Sequence, residues 1–131
     1  MNRPDVADIL VLSDTLELSR AVTVNLLTEP GLQVWNPVDT ADPALPEAFA
    51  LIIVALASPS SEPVSVLGRA GLANHVGQTP LLIIHPQGFQ SDPAGRIFCL
   101  EFPFEVENLR KLVQEIVLKI KKENNNVNLV K

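Results

Sequence analysis

The sequence is poor in cysteine, in basic residues and in long apolar stretches, and each shortage removes a class of protein. With Cys99 alone, no internal disulfide can form, and the reducing cytoplasm is the expected compartment. Lys and Arg number 10 against 15 Asp and Glu, a net charge of −5, and the pI is near 4.9. Phosphate backbones are bound mainly by clustered Lys and Arg, so no nucleic-acid partner is expected. Apolar runs such as Leu51–Ala57 and Leu81–Ile84 fall far short of the roughly 20 residues that cross a bilayer, so no membrane partner is expected either. The Met1–Asp5 start leads into a mixed polar segment without the apolar stretch of a signal peptide. His75 and His85, with no Cys nearby in sequence, do not make a zinc site. No Gly-x-Ser-x-Gly elbow accompanies Ser58, Ser60 and Ser61, which read as turn or cap residues. Gly68-Arg-Ala-Gly71 lacks the Lys-Ser/Thr of a phosphate-cradling loop. No acid, base and nucleophile converge in the sequence, so neither catalytic residues nor a metal or cofactor is expected.

What is present suits one packed domain: 131 residues, of which 47% are hydrophobic and 19% charged. Asp8–Ser13 is a short apolar run of the kind found in strands buried on both faces. Asp14-Thr-Leu-Glu17 reads as a capping box, with Asp14 as N-cap and a helix starting at about Thr15. Leu18, Ala21, Val22 and Leu26 fall on one helical face, and Pro30-Gly31 ends it. Leu32–Trp35 is a second strand. Between Asn36 and Glu47, Pro37, Pro43 and Pro46 leave room for at most one helical turn, a shortened second helix.

Phe49–Leu56, charge-free and rich in β-branched residues, is the strongest strand signal. A helix over Pro63–Ala73 follows, weakened by Gly68 and Gly71. Thr79–His85 and Arg96–Leu100 are the fourth and fifth strands, and the interrupted Pro86–Gly95 segment between them allows only a shortened fourth helix. Val106, Leu109, Leu112, Val113, Ile116, Val117 and Ile120 form a helical stripe, acidic at its start and followed by Lys119, Lys121 and Lys122. The domain is expected to span 1–122, with 123–131 as a frayed, Asn-rich tail.

Apolar strands alternating with helices indicate an α/β three-layer sandwich around a parallel sheet. In such sheets function sits at the carboxyl ends of the strands. Those ends carry Ser13, Asp14, Ala55, His85 and Phe102.

In the order and spacing of Ile-Leu-Val-Leu-Ser-Asp14, Thr-Pro-Leu-Leu-Ile-Ile-His85 and Phe-Pro-Phe104, the sequence resembles the response-regulator receiver domains, the flavodoxin-like (CheY-like) family that accepts a phosphoryl group on an aspartate. The resemblance runs from about Asp8 to Ile120 and implies a five-stranded parallel sheet. It implies, too, that the acidic pair of the family reads Ser13-Asp14 here, the acceptor aspartate Ala55, the hydroxyl position His85, the lysine Phe102 and the aromatic switch position Cys99. A methyl group cannot form an acyl phosphate. Asp14 alone is a poor first ligand set for Mg²⁺, and Phe102 brings no cation to transferring oxygens. The chain thus reads as a degenerate pseudo-receiver: a non-enzymatic signalling domain that binds a protein partner independently of phosphorylation.

In receivers, the surface of the fourth helix, fifth strand and last helix commonly pairs with other proteins, so the resemblance implies an apolar contact surface here around Phe98, Phe104, Leu109 and Val113. A second copy of the chain is one candidate partner. The alternative function is small-ligand binding in the vacated pocket around Ser13, Ala55 and His85, which is fold-level analogy. Asp14 reads first as a helix cap and second as a residual metal ligand. His85 reads as a packed strand-end residue before a pH-sensitive contact. Cys99 reads as a small buried apolar residue before a reactive thiol.

Overall fold

The computed structural model describes residues 6–36, 49–60, 62–69, 71–72, 79–86, 96–101 and 104–129, with side chains as far as Ile120 in the last helix. The elements are β1 (Ala7–Ser13), α1 (Leu16–Leu27), β2 (Leu32–Trp35), β3 (Leu51–Ala55), α2 (Pro63–Arg69), β4 (Leu81–His85), β5 (Ile97–Glu101) and α3 (Val106–Leu129). The strands form one sheet in the order β2-β1-β3-β4-β5, and every neighbouring pair is parallel. The expected flavodoxin-like, five-stranded parallel sheet is therefore present.

Alternation along the strands divides the core in two. Ile9, Val11, Leu51, Ile53, Ala55, Leu82 and Ile84 face α1 and α3, where they meet Leu18, Val22 and Leu26 together with Leu109, Val113, Ile116 and Val117. Leu10, Leu12, Ile52, Val54, Leu56, Leu81 and Ile83 point the other way and pack with Val66 and Leu67 of α2. Apolar side chains on both faces explain why β3 and the Leu81–Ile84 part of β4 are unbroken hydrophobic runs, both strands being buried at every position.

Several boundaries differ from the sequence expectation. The N-cap of α1 is Thr15, not Asp14: its hydroxyl accepts the Leu18 N–H at 3.3 Å. The helix starts one residue later than a capping box on Asp14 requires, and the Asp14 carboxylate is engaged elsewhere. Helix α2 stops at Arg69, short of Ala73. Gly71, at φ +76, turns the chain; its N–H donates to Gly68 O at 3.1 Å, and Leu72 N–H donates to Leu67 O at 2.8 Å. This is a Schellman closure, which the left-handed freedom of glycine allows.

Helix α3 continues through the Asn-rich segment to Leu129, where a frayed tail from Glu123 was expected. Once nucleated, a helix propagates through residues of modest propensity at small cost per residue. The expected shortened second and fourth helices fall almost wholly in 37–48 and 87–95, outside the described residues. Phe102, His75 and Ser61 lie outside them as well.

Candidate functional site

The chain passes from β1 outward to β2, then returns across β1 to β3, so the strand order reverses between β1 and β3. At such a point the loops leaving two neighbouring strands diverge and open a crevice at their carboxyl ends. Ser13 and Ala55 stand directly opposite one another there, as the last register pair of β1 and β3. Ser13 Oγ accepts the Thr15 N–H at 3.1 Å, while Ala55 is fully buried. Asp14 follows Ser13, and its N–H donates to Ala55 O at 3.3 Å.

The Asp14 carboxylate reaches the loop after β3. Oδ1 accepts the Ala57 N–H at 2.8 Å, and Oδ2 accepts the Ser58 N–H at 3.1 Å. Ser58 Oγ in turn accepts the Ser60 N–H at 3.3 Å. The loop is also tied to β4, because Leu56 N–H donates to Ile84 O at 2.7 Å. Neither Ala57 nor the backbone of Ser58 stood out in the sequence, since a main-chain N–H carries no residue-type signal.

His85 closes β4, is 7% exposed and pairs in register with Glu101 of β5. Strand alternation sends its side chain toward the α2 side of the sheet, whereas Ser13 and Ala55 point toward the α1–α3 side. The vacated pocket envisaged around these three residues is thus divided between opposite sides of the sheet rim. Cys99 lies farther down the sheet, opposite Ile83, as a half-buried free thiol. Among the described residues, no group of three or more His, Cys, Asp and Glu side chains could hold a metal ion. No helix of the described residues is long and apolar enough to cross a membrane.

The expected contact surface needs correction. Leu109 and Val113 are 0% exposed and belong to the core between α3 and the sheet. Phe98 and Phe104 are half-buried and lean on that same cluster. The Lys119 Nζ covers the Phe98 ring, 5.7 Å from its centroid, a cation–π placement that leaves less of this aromatic for a partner. The apolar residues of α3 were read correctly as a stripe, but the stripe faces inward. Off the stripe, Leu118 is apolar and 56% exposed, beside a groove of about 520 Å³ that also involves Lys111 and Glu115 of α3 and Glu29 after α1.

No protein-family model matches the chain, and no curated protein sequence matches it. Among solved structures, it is similar to a response regulator receiver domain protein (CheY-like) from Methanospirillum hungatei, at 17% identity and a TM-score of 0.61, over 90% of this chain and 98% of that one. NtrX from Brucella abortus in complex with ATP gives 16% identity and a TM-score of 0.62, over 95% of this chain and 30% of that one. The signal receiver domain of a LuxO repressor protein from Vibrio parahaemolyticus gives 15% identity and a TM-score of 0.56, over 91% and 95%. At these identities the shared property is the fold, that of receiver domains, and the function has to be argued from the site.

Proposed function

We propose that this chain works in signal transduction as a receiver-fold domain that takes no phosphoryl group and acts by binding another protein. The observation that carries this reading is the pair Ala55 and Asp14. Ala55 ends β3 at the strand-order reversal, fully buried, and offers a methyl group where acyl-phosphate chemistry needs a carboxylate nucleophile. The nearby carboxylate, Asp14, is committed to two backbone N–H groups. With no nucleophile at that position, the domain has no use for metal-assisted phosphoryl transfer, and it is not an enzyme. The resemblance of the sequence to receivers and the receiver fold support a signalling role, and the net charge of −5 argues against a nucleic-acid partner.

Incubation with a small-molecule phosphoryl donor and Mg²⁺, followed by intact-mass spectrometry, tests the first half of the reading. An unchanged mass is expected, and a gain of one phosphoryl group on Asp14 or any other carboxylate would sink it. For the second half, sedimentation across a wide concentration range reports whether a second copy is the partner. Self-association lost in Leu118→Glu would identify the exposed α3 face as the contact.

A further inference from the structure

The loop leaving β3 offers two consecutive amides, Ala57 and Ser58, to a single side chain from another strand. Each meets its own oxygen of the Asp14 carboxylate, at 2.8 and 3.1 Å. One N–H per oxygen is a bidentate, charge-assisted arrangement, roughly twice as strong as a pair of neutral bonds and specific in geometry. Asp14 is held on its own side as well, by its N–H on Ala55 O at 3.3 Å and by the capped start of α1 that follows it. On the far side, Ser58 Oγ and Ser60 Oγ lie 2.9 Å apart, carrying the order toward α2. Successive backbone N–H groups aimed at one point form an anion receptor, and here the anion belongs to the chain.

We infer that Asp14 is an internal anionic latch: its carboxylate fills the amide pair of the β3–α2 loop and holds the rim of the sheet in one conformation without any external ligand. The inference rests on the proposed phosphorylation-independent function, for which it supplies the physical means. A domain whose loop is held by a carboxylate of its own chain keeps the same surface without a ligand, whereas one awaiting an exogenous anion does not.

Residue-resolved amide hydrogen exchange on the full chain tests the latch. In the unaltered protein the Ala57 and Ser58 amides are expected to be protected, and Asp14→Ala is expected to speed the exchange of both by about tenfold or more, with Ile52 and Val54 of β3 unchanged. Asp14→Asn keeps one acceptor oxygen and is expected to speed at least one of the two. Millimolar Mg²⁺ is expected to leave both rates of the unaltered protein as they are. Unprotected amides in the unaltered protein, or unchanged rates in both variants, would overturn the latch. Release of the two amides by Mg²⁺ would overturn it too, because the carboxylate would then belong to a metal. Should Asp14→Ala lose protection in β3 as well, and so be unfolded, Asp14→Asn carries the comparison alone. The latch and the proposed function fail separately: phosphoryl uptake defeats the function with the amides still protected, and unprotected amides defeat the latch with Ala55 still unable to react.

Discussion

Asn36, the residue that follows β2, donates its side-chain amide to Thr23 of α1, with Nδ2 and Oγ1 2.8 Å apart and both side chains buried. The same amide donates to Ser19 Oγ at 2.9 Å, and the Thr23 hydroxyl donates to Ser19 O at 2.8 Å. A polar cluster in this position is stabilising only while its members satisfy one another, since an orphaned buried group bears its full desolvation penalty. It ties the edge strand β2 to α1, which apolar packing alone would leave free to slide.

Asn36→Ala is accordingly expected to cost about 1–3 kcal/mol, measured by urea denaturation with the single tryptophan, Trp35, as the fluorescent probe. Paired with Thr23→Val in a double-mutant cycle, it should show a coupling of about 0.5–3 kcal/mol. Strict additivity would mean that the bond contributes nothing.

Leu109 and Leu118 sit on one helix, and truncating them should have very unequal consequences. Leu109 is fully buried, so Leu109→Ala removes packed volume from the α1–α3 core and is expected to cost about 2–5 kcal/mol. Leu118 is 56% exposed, and Leu118→Ala should stay within about 0.5 kcal/mol of the parent. Thermal and urea unfolding read both. Equal costs would mean that the face of α3 toward the sheet has been misassigned.

The two glycines around the end of α2 make a similar contrast. Gly68 is helical, exposed and has no atom within 4 Å of where a Cβ would stand, so Gly68→Ala should stabilise by about 0.5–1 kcal/mol through helix propensity. Gly71 has equal space but a φ of +76, where an L side chain is strained by about 1–2 kcal/mol, and Gly71→Ala should destabilise by about that much. Opposite shifts in urea midpoint are the expected outcome, and a gain in both variants would show that the turn relaxes out of the left-handed region.

The elements were legible because their signals are local. The Asp8–Ser13 and Leu81–Ile84 runs, the Pro30-Gly31 stop and the α3 stripe each depend on residues a few positions apart, and each appears in the structure where its pattern placed it. The site was legible only in part. Ala55 at the strand end follows from a single run of apolar residues, but Asp14 was misread because its capping signal competes with Thr15 beside it. The partners that claim its carboxylate lie 43 and 44 residues away and are main-chain groups. Ser19 and Thr23, polar at i and i+4 beside the Leu18–Val22–Leu26 stripe, were the available hint of the buried cluster with Asn36, a residue 13 to 17 positions distant.

Periodicity and composition were thus enough for the α/β sheet and the apolar stripe of α3, because hydrophobic alternation acts at short range; the missing nucleophile at Ala55 was implied by the resemblance to receivers. Long-range packing was needed to bury Leu109 and Val113 instead of presenting them to a partner, to turn His85 and Ala55 to opposite sides of the sheet, and to bring Asp14 onto the Ala57 and Ser58 amides. A side chain's polarity says whether it seeks a partner; which partner it meets depends on strand order and register, and those are set by the burial of both faces of the whole sheet at once.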